Sequence, residues 1–458
     1  MDNLGTSAKA RPRIARRVVL IALGLVALNL SLGIGCFLSK WIPAGKALLQ
    51  EELRVREECD ALDAQRVYRP IFFEPSDEDN SWEPLSEAIE SIGALTKEQL
   101  RAFPSFRDEE EGALPPEEVA KVVAKVEADF VVLKSALRRR WVDPFYYFGF
   151  GFHLPLPLVE KSIRVCRILA DRASALLEEG RPEEAVDRLI LAWGMADHLA
   201  VKGFLVNELV RITQGEIAAS RLNSFLGDAR FDSKALARLE GVLSALDRAR
   251  PDILECFRRD HLLSRQGIIS VGEGGDTKLL YPGGKLIGMP HHLFSVRIMA
   301  ADCLVILADL FRGVETAATL PLRDRLSRLD ELEKEALARK NPMVSLLMLD
   351  VSRCWRHYAM DGLRMSLARI AVALARHQGD LGAFPASLEE LVPKYLPAIP
   401  SDEISGSPFG YSVSGDLATV YSWGEDQDDD GGIPVVNESN DDGAVEDGDV
   451  VWTVKRVK

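Results

Sequence analysis

Near the C-terminus of this 458-residue chain, Asp426-Gln427-Asp428-Asp429-Asp430-Gly431 is the pattern with the most direct chemical meaning. Carboxylates at alternate positions of a D-x-D-x-D-G loop converge on a hard cation, and the glycine permits the sharp turn this needs. Ile433 falls at the eighth position, where a calcium loop carries an apolar residue. The twelfth position is Asn437 where a bidentate glutamate is usual, Glu438 follows one step later, and a strand is expected to enter the loop where a helix is usual. Two readings stand: calcium held by Asp426, Asp428 and Asp430, or a solvated acidic loop. From Glu425 to Asp449 the chain carries eleven Asp/Glu and no Lys or Arg, against a net charge of −14 for the whole.

Other reactive residue types form no constellation. The seven histidines are His153, His198, His261, His291, His292, His357 and His377. None falls in H-E-x-x-H, and adjacent His291 and His292 cannot both reach one metal from a helix. Ser270, in Gly267-Ile268-Ile269-Ser270-Val271-Gly272, misses the G-x-S-x-G elbow because Ile268 stands two residues before it. The glycine-rich stretch Gly267–Pro290 matches neither dinucleotide nor P-loop spacing and reads as a surface loop. The cysteines at 36, 59, 166, 256, 303 and 354 form no C-x-x-C pair, and the five beyond Cys36 lie on apolar helical faces as buried thiols. The aromatic run Trp141–Phe152 reads as a packed inter-helix loop, with a ligand groove or lipid-facing surface as the alternative.

The elements that must position these residues are almost all helical. Apolar residues at helical spacing predict helices over 44–67, 84–94, 116–140, 156–179, 182–200, 203–227, 232–248, 251–264, 291–312, 322–340 and 342–378. Pro116 with Glu117 and Glu118, and Pro182 with Glu183 and Glu184, place proline and acids in a first turn. There the missing N–H costs nothing and the macrodipole favours carboxylates. Residues 170–200 read as a helical hairpin about Gly180-Arg181-Pro182, resembling one tetratricopeptide unit but with no second copy.

At the other end, Val18–Leu38 is 21 residues without a charge, about 30 Å as a helix and long enough to cross a bilayer once. Lys9, Arg11, Arg13, Arg16 and Arg17 precede it, so the positive-inside rule puts the N-terminus in the cytoplasm and the rest outside. A cleaved signal, or a lipoprotein signal ending in Gly33-Ile34-Gly35-Cys36, are the competing readings. The acidic balance argues against a nucleic-acid partner.

Beyond Arg356 the chain carries a resemblance. An amphipathic helix over His357–Gln378 leads into Gly382-Ala383-Phe384-Pro385, a short helix over Leu388–Val392 capped by Ser387, and Leu396–Asp402. Then come Gly406–Tyr411 and Ser422–Asp426, with a hairpin of Phe409–Val413 and Ala418–Ser422 across Ser414-Gly415-Asp416. This order is similar to the part of type II secretion major pseudopilins that follows their hydrophobic half-helix. The resemblance implies a pilin-like head and calcium at the acidic loop. Pilin-like subunits also carry a prepilin cleavage site and a Glu inside a hydrophobic segment continuous with the head helix. Here the apolar segment has no acid and lies about 300 residues upstream, which implies a borrowed head module. The whole layout resembles membrane-anchored proteins of Planctomycetes, a likeness that implies location and no activity.

The expected fold is mainly α: an N-terminal transmembrane helix, a long irregular α-helical body, and a small α+β C-terminal module with an antiparallel β-hairpin. The divisions are a cytoplasmic basic tail (1–17), a transmembrane helix (18–38), an extracytoplasmic helical domain (44–350) and a pseudopilin-like module with the acidic loop (351–458). The expected function is a single-pass scaffold of the inner membrane, held in the bilayer through 18–38. Its body contacts another envelope protein and calcium braces its C-terminus. A cell-envelope hydrolase with an unrecognised site is the rival.

Overall fold

The computed structural model describes residues 39–62, 67–68, 80–107, 114–142, 158–200, 203–226, 231–272, 294–434 and 448–456, except positions 41, 140 and 349. The apolar segment 18–38, nearly all of the aromatic run, most of the glycine-rich stretch and residues 435–447 of the acidic segment lie outside these. Among the described residues no helix is long and apolar enough to cross a membrane.

Thirteen α-helical segments are described in order. They are α1 (39–62), α2 (Trp82–Gly93), α3 (Lys97–Leu100), α4 (Pro116–Ala136), α5 (Val159–Glu178), α6 (Pro182–Leu199) and α7 (Leu205–Leu226), then α8 (Ser233–Ala249), α9 (Ile253–Gly272), α10 (Phe294–Ala317), α11 (Leu322–Ala338), α12 (Pro342–Leu347) and α13 (Val351–Leu381). A two-residue ladder joins β1 (Val67–Tyr68) to β2 (Trp141–Val142), and β3 (Gly410–Ser414), β4 (Leu417–Ser422) and β5 (Val450–Lys455) form an antiparallel sheet in that order. The mainly helical expectation holds. The prolines at 116 and 182 open their helices with glutamates beside them, and α5 ends at the turn where Arg181 N–H bonds Leu176 C=O at 2.9 Å.

Three expectations are corrected. The helix expected over 342–378 is two, because Asp350 caps a new start by accepting from Arg353 N at 2.8 Å, and Glu333 of α11 accepts from Ser352 N at 3.0 Å. The helix expected to end at 264 continues to Gly272, carried by Ile268, Ile269 and Val271, which pack in one cluster with Leu48, Val55 and Cys59 of α1. The Leu388–Val392 helix is a single 3-10 turn over Leu388–Leu391, and Ser387 does not cap it.

The expected hairpin forms across a two-residue turn, with Ser414 opposite Leu417. Gly415 has φ +60°, the first-position conformation of a II′ turn, which a side chain would strain. The third strand, β5, was not expected. It pairs along the whole of β4, from Leu417 opposite Lys455 to Ser422 opposite Val450.

This sheet lies on α13, and α13 is not amphipathic in its middle. Leu367, Ala368, Ile370, Ala371, Val372, Ala373 and Leu374 are all buried, as is Arg369, which bonds Asp247 of α8 at 2.6 Å. A helix apolar on every side must be enclosed on every side. Here α7 and α8 pack against it along with β4 and β5. One hydrophobic cluster therefore runs from Leu85 through α4–α8 and α13 to Val454, so the body and the C-terminal segment share a core across residue 350.

A buried ion cluster pins α7 to α13. The Arg211 guanidinium, buried, bonds Glu208 at 2.8 Å and Asp361 at 2.6 Å. Burial opposes its charge, but the Asp361 and Glu208 carboxylates outweigh that and hold Arg211 well above its ordinary range. Arg250 lies 3.6 Å from the same Asp361 carboxylate and 3.6 Å over the Tyr358 ring. Removing one partner strands a buried charge, so Arg211→Met is expected to lower the unfolding free energy by about 3–5 kcal/mol, measured in urea, whereas Arg211→Met with Glu208→Leu and Asp361→Leu recovers much of it.

Candidate metal centre

The acidic loop leaves β4 through a braced corner. Ser422 Oγ donates to Asp402 Oδ2 at 2.5 Å and accepts from Gly424 N at 3.2 Å. Buried Asp402 also accepts from Ile404 N, Ser405 N and Ser405 Oγ. Gly424 has φ +69°, and a side chain there would meet the Gly448 carbonyl at 3.0 Å, so only glycine lets the two ends of the acidic segment come this close.

Within this frame Asp426, Asp428 and Asp430 each turn a carboxylate oxygen to a common point, all within 4.8 Å of one another. Asp426 accepts from Asp428 N at 3.3 Å and from Gly448 N at 3.1 Å, tying the triad to the returning chain. Asp429, the intervening residue, turns away: it accepts from Gly431 N at 2.9 Å and from the Tyr421 hydroxyl. Gln427, at φ +67°, reaches outward to Ile404 C=O and accepts from Arg323 of α11, both at 3.4 Å. Glu425 pairs with Arg356 of α13. The alternation legible in the sequence thus becomes a division of labour, with odd acids outward to the protein and even ones inward.

The returning chain brings a further acid, Asp449, beside Asp430 and Asp429, outside the converging triad. Asp449 is 1% exposed; its Oδ2 accepts from Gly432 N at 2.7 Å, and its Oδ1 is buried without a hydrogen-bond partner among the described residues. Asp430 Oδ2 is buried and unpartnered likewise. Burial raises the Asp449 carboxyl above its ordinary range, and neighbouring Asp430 and Asp429 raise it further. Unpaired buried carboxylate oxygens beside like charges are costly, and a divalent cation removes that cost by supplying both charge and ligation. The donor set is all oxygen, which suits calcium or another hard ion and not a soft one. Asp449 was missed because it stands nineteen positions beyond Asp430; the one sequence signal was the β-branched run Val450-Val451-Trp452-Thr453-Val454, a strand that must bring it back.

Among the described residues no comparable arrangement gathers around the other reactive residues. Ser270 is exposed within α9, not on a strand-to-helix turn. His261 stacks flat on Phe311 at 4.9 Å, and burial with Arg265 nearby pushes it down to about 4. The five described cysteines are buried, and burial pushes Cys166, Cys256, Cys303 and Cys354 up to about 12, protonated and weak as nucleophiles. The groove between α10 and α11 is lined by Asp309, Arg312, Thr316 and Arg328. Its charges are paired: Arg312 and Arg339 reach Asp309, and Arg328 reaches Glu331 and Glu335.

The chain matches no family model, and no curated protein or solved structure is significantly similar to it.

Two expectations follow from the geometry. For the full chain, millimolar calcium is expected to raise Tm relative to chelator, by the equivalent of about 2.7 kcal/mol at a hundredfold excess over Kd. Asp426→Asn with Asp428→Asn abolishes the shift, and an equal Tm in calcium and chelator rejects the site. The second concerns pH. A carboxyl raised in the folded state adds stability below the unfolded value, about 3.9, that is lost as pH rises through the folded one. In chelator, Asp449→Asn is therefore expected to flatten the fall in stability above pH 4 that the raised carboxyl predicts for the parent chain, as read by urea unfolding across pH.

Proposed function

We propose that the chain is a single-pass, membrane-anchored scaffold of the cell envelope, with a helical body and a pseudopilin-like, calcium-braced C-terminal segment facing outward from the inner membrane. The observation that carries this reading is at the N-terminal entry. The 21-residue uncharged segment Val18–Leu38 immediately precedes the first described residues of α1. Helix α1 is not a loose tether, because Leu48, Val55 and Cys59 are buried in a cluster with α9, α10 and α12. Arg265 of α9 clamps its flank through Glu51 at 2.6 Å and Glu58 at 3.0 Å. An anchor at 18–38 would hold the body at a defined height and orientation, which is what a scaffold requires and a diffusing enzyme does not.

Two further features support it. The acidic loop is bonded to α11 and α13 through Arg323 and Arg356, so calcium there would stiffen the body as well as the loop. The order of long helix, 3-10 turn and three-stranded sheet after Val351 supports the pseudopilin-like reading. The partner we assign is another envelope protein.

In a bacterial host the full chain is expected to sediment with membranes through a carbonate wash. A reporter active only outside the cytoplasm, fused after Lys458, is expected to give signal. Release by carbonate rejects the anchor, and a silent reporter on a sedimenting chain rejects the orientation. Acyl glycerol on Cys36 would convert the anchor to a lipoprotein one.

A further inference from the structure

The outer face of the C-terminal sheet is covered unevenly. Along β4, Ala418 and Val420 turn inward to the shared core, while Leu417, Thr419 and Tyr421 alternate onto the other face. Of these, Leu417 is exposed and Thr419 half-buried, whereas Tyr421 is only 8% exposed, although it lies outside the cluster that takes up Ala418 and Val420. What covers it is the acidic loop. The Tyr421 ring leans across Gly410 of β3, where a side chain would collide with it, and Gly432 lies against it: a Cβ there would stand 3.3 Å from Tyr421 Cδ1 and 3.4 Å from Thr419 Cγ2. The Tyr421 hydroxyl is bonded to Asp429 of the same stretch.

This stretch has no apolar hold on the sheet. From Glu425 to Pro434 no residue is buried, and Ile433, its one large apolar side chain, is 63% exposed. It is held down by hydrogen bonds, from Gly432 N to Asp449 Oδ2 at 2.7 Å and from Asp449 N to Ile433 C=O at 2.8 Å. Against these stand the charges of Asp426, Asp428, Asp429 and Asp430, and of Asp449, which is 1% exposed beside Asp430 and Asp429 with its Oδ1 unpartnered among the described residues. A closed form that buries no apolar side chain of its own and gathers carboxylates in one place depends on what neutralises them.

We propose that residues 426–434 are a cation-operated strap, closed over Tyr421 while Asp426, Asp428 and Asp430 hold a divalent ion and released when they hold none; the inference rests on the calcium-braced reading of this segment and adds regulation to that site. The linkage is short. Asp430 stands two residues before Gly432, and Asp426 accepts from Gly448 N of the returning chain at 3.1 Å. An ion that draws Asp430 to Asp426 therefore sets Gly432 on the Tyr421 ring. With no ion the like charges push the strap away from Asp449 and the ring, and Tyr421, Thr419 and Gly410 face solvent. Ion occupancy is read out as the exposure of one tyrosine on the outer sheet face.

The test is nitration of the purified full chain by tetranitromethane, with the modified tyrosines assigned by peptide mass spectrometry. Tyr421 is expected to react about tenfold more slowly in millimolar calcium than in chelator, because the open fraction falls as the ion holds the closed form. Tyr411, half-buried on β3 of the same sheet, is expected to react at one rate in both. In Asp426→Asn with Asp428→Asn, calcium is expected to leave the Tyr421 rate unchanged. Equal Tyr421 rates in calcium and chelator, in a chain whose Tm calcium raises, overturn the strap. So does equal slowing of Tyr411, which would mark a general tightening of the sheet, and so does calcium-dependent protection that persists in the double variant. A Tm that calcium does not move rejects the cation site itself, so the two failures are distinguishable.

Discussion

Everything in the described fold depends on enclosing the middle of α13. From Leu367 to Leu374 the helix exposes no face to water, and an apolar cylinder of that kind is stable only if neighbours cover its whole circumference. Helices α7, α8 and α11 and strands β4 and β5 all pack against it. The same requirement explains why the chain does not divide near residue 350. A C-terminal segment with its own core would leave half of α13 bare, whereas one shared core covers it.

Polar groups that accompany this enclosure are spent on register. Arg211, Glu208, Asp361 and Arg250 form a buried cluster between α7, α13 and the end of α8, and Arg369 is tied to α8 through Asp247 and, at 3.7 Å, Glu240. Packing alone tolerates sliding of one smooth helix on another, but a buried charge that must meet its partner does not. The helices that hold α13 are thus fixed along its axis as well as around it, and the sheet on its far side inherits a defined position.

That position is what shapes the acidic loop. The loop springs from the end of β4 and returns at the start of β5, so its two ends are held one strand apart by the ladder that also roofs α13. Like charges placed that close repel, and the protein manages the repulsion unevenly. Asp429 and Glu425 are turned to Tyr421 and Arg356, and Asp402 holds the corner. Asp426, Asp428 and Asp430 are left facing one another, with one buried oxygen of Asp430 and one of nearby Asp449 unpartnered among the described residues. A cation held there would couple ion occupancy to the sheet, and through the sheet to the central helix.

Much of this was legible along the chain. Helix positions follow from the spacing of apolar residues, helix starts from Pro116 and Pro182, the hairpin turn from Gly415, and the triad Asp426, Asp428 and Asp430 from alternation within six residues. All are local: a few neighbouring residues decide them through backbone preference and side-chain period. What the tertiary structure decided is what depends on distant partners. The break at Asp350 needed Glu333 from α11, the extension of α9 to Gly272 needed the apolar face of α1, and the burial of α13 on every side needed both α8 and the sheet. Asp449 comes beside Asp430 only because β5 pairs with β4 and carries it back across nineteen residues. A sequence records which residues are apolar or charged, but pairing between distant segments is settled by the competition to bury the same surface, and that competition is visible only once the chain has folded.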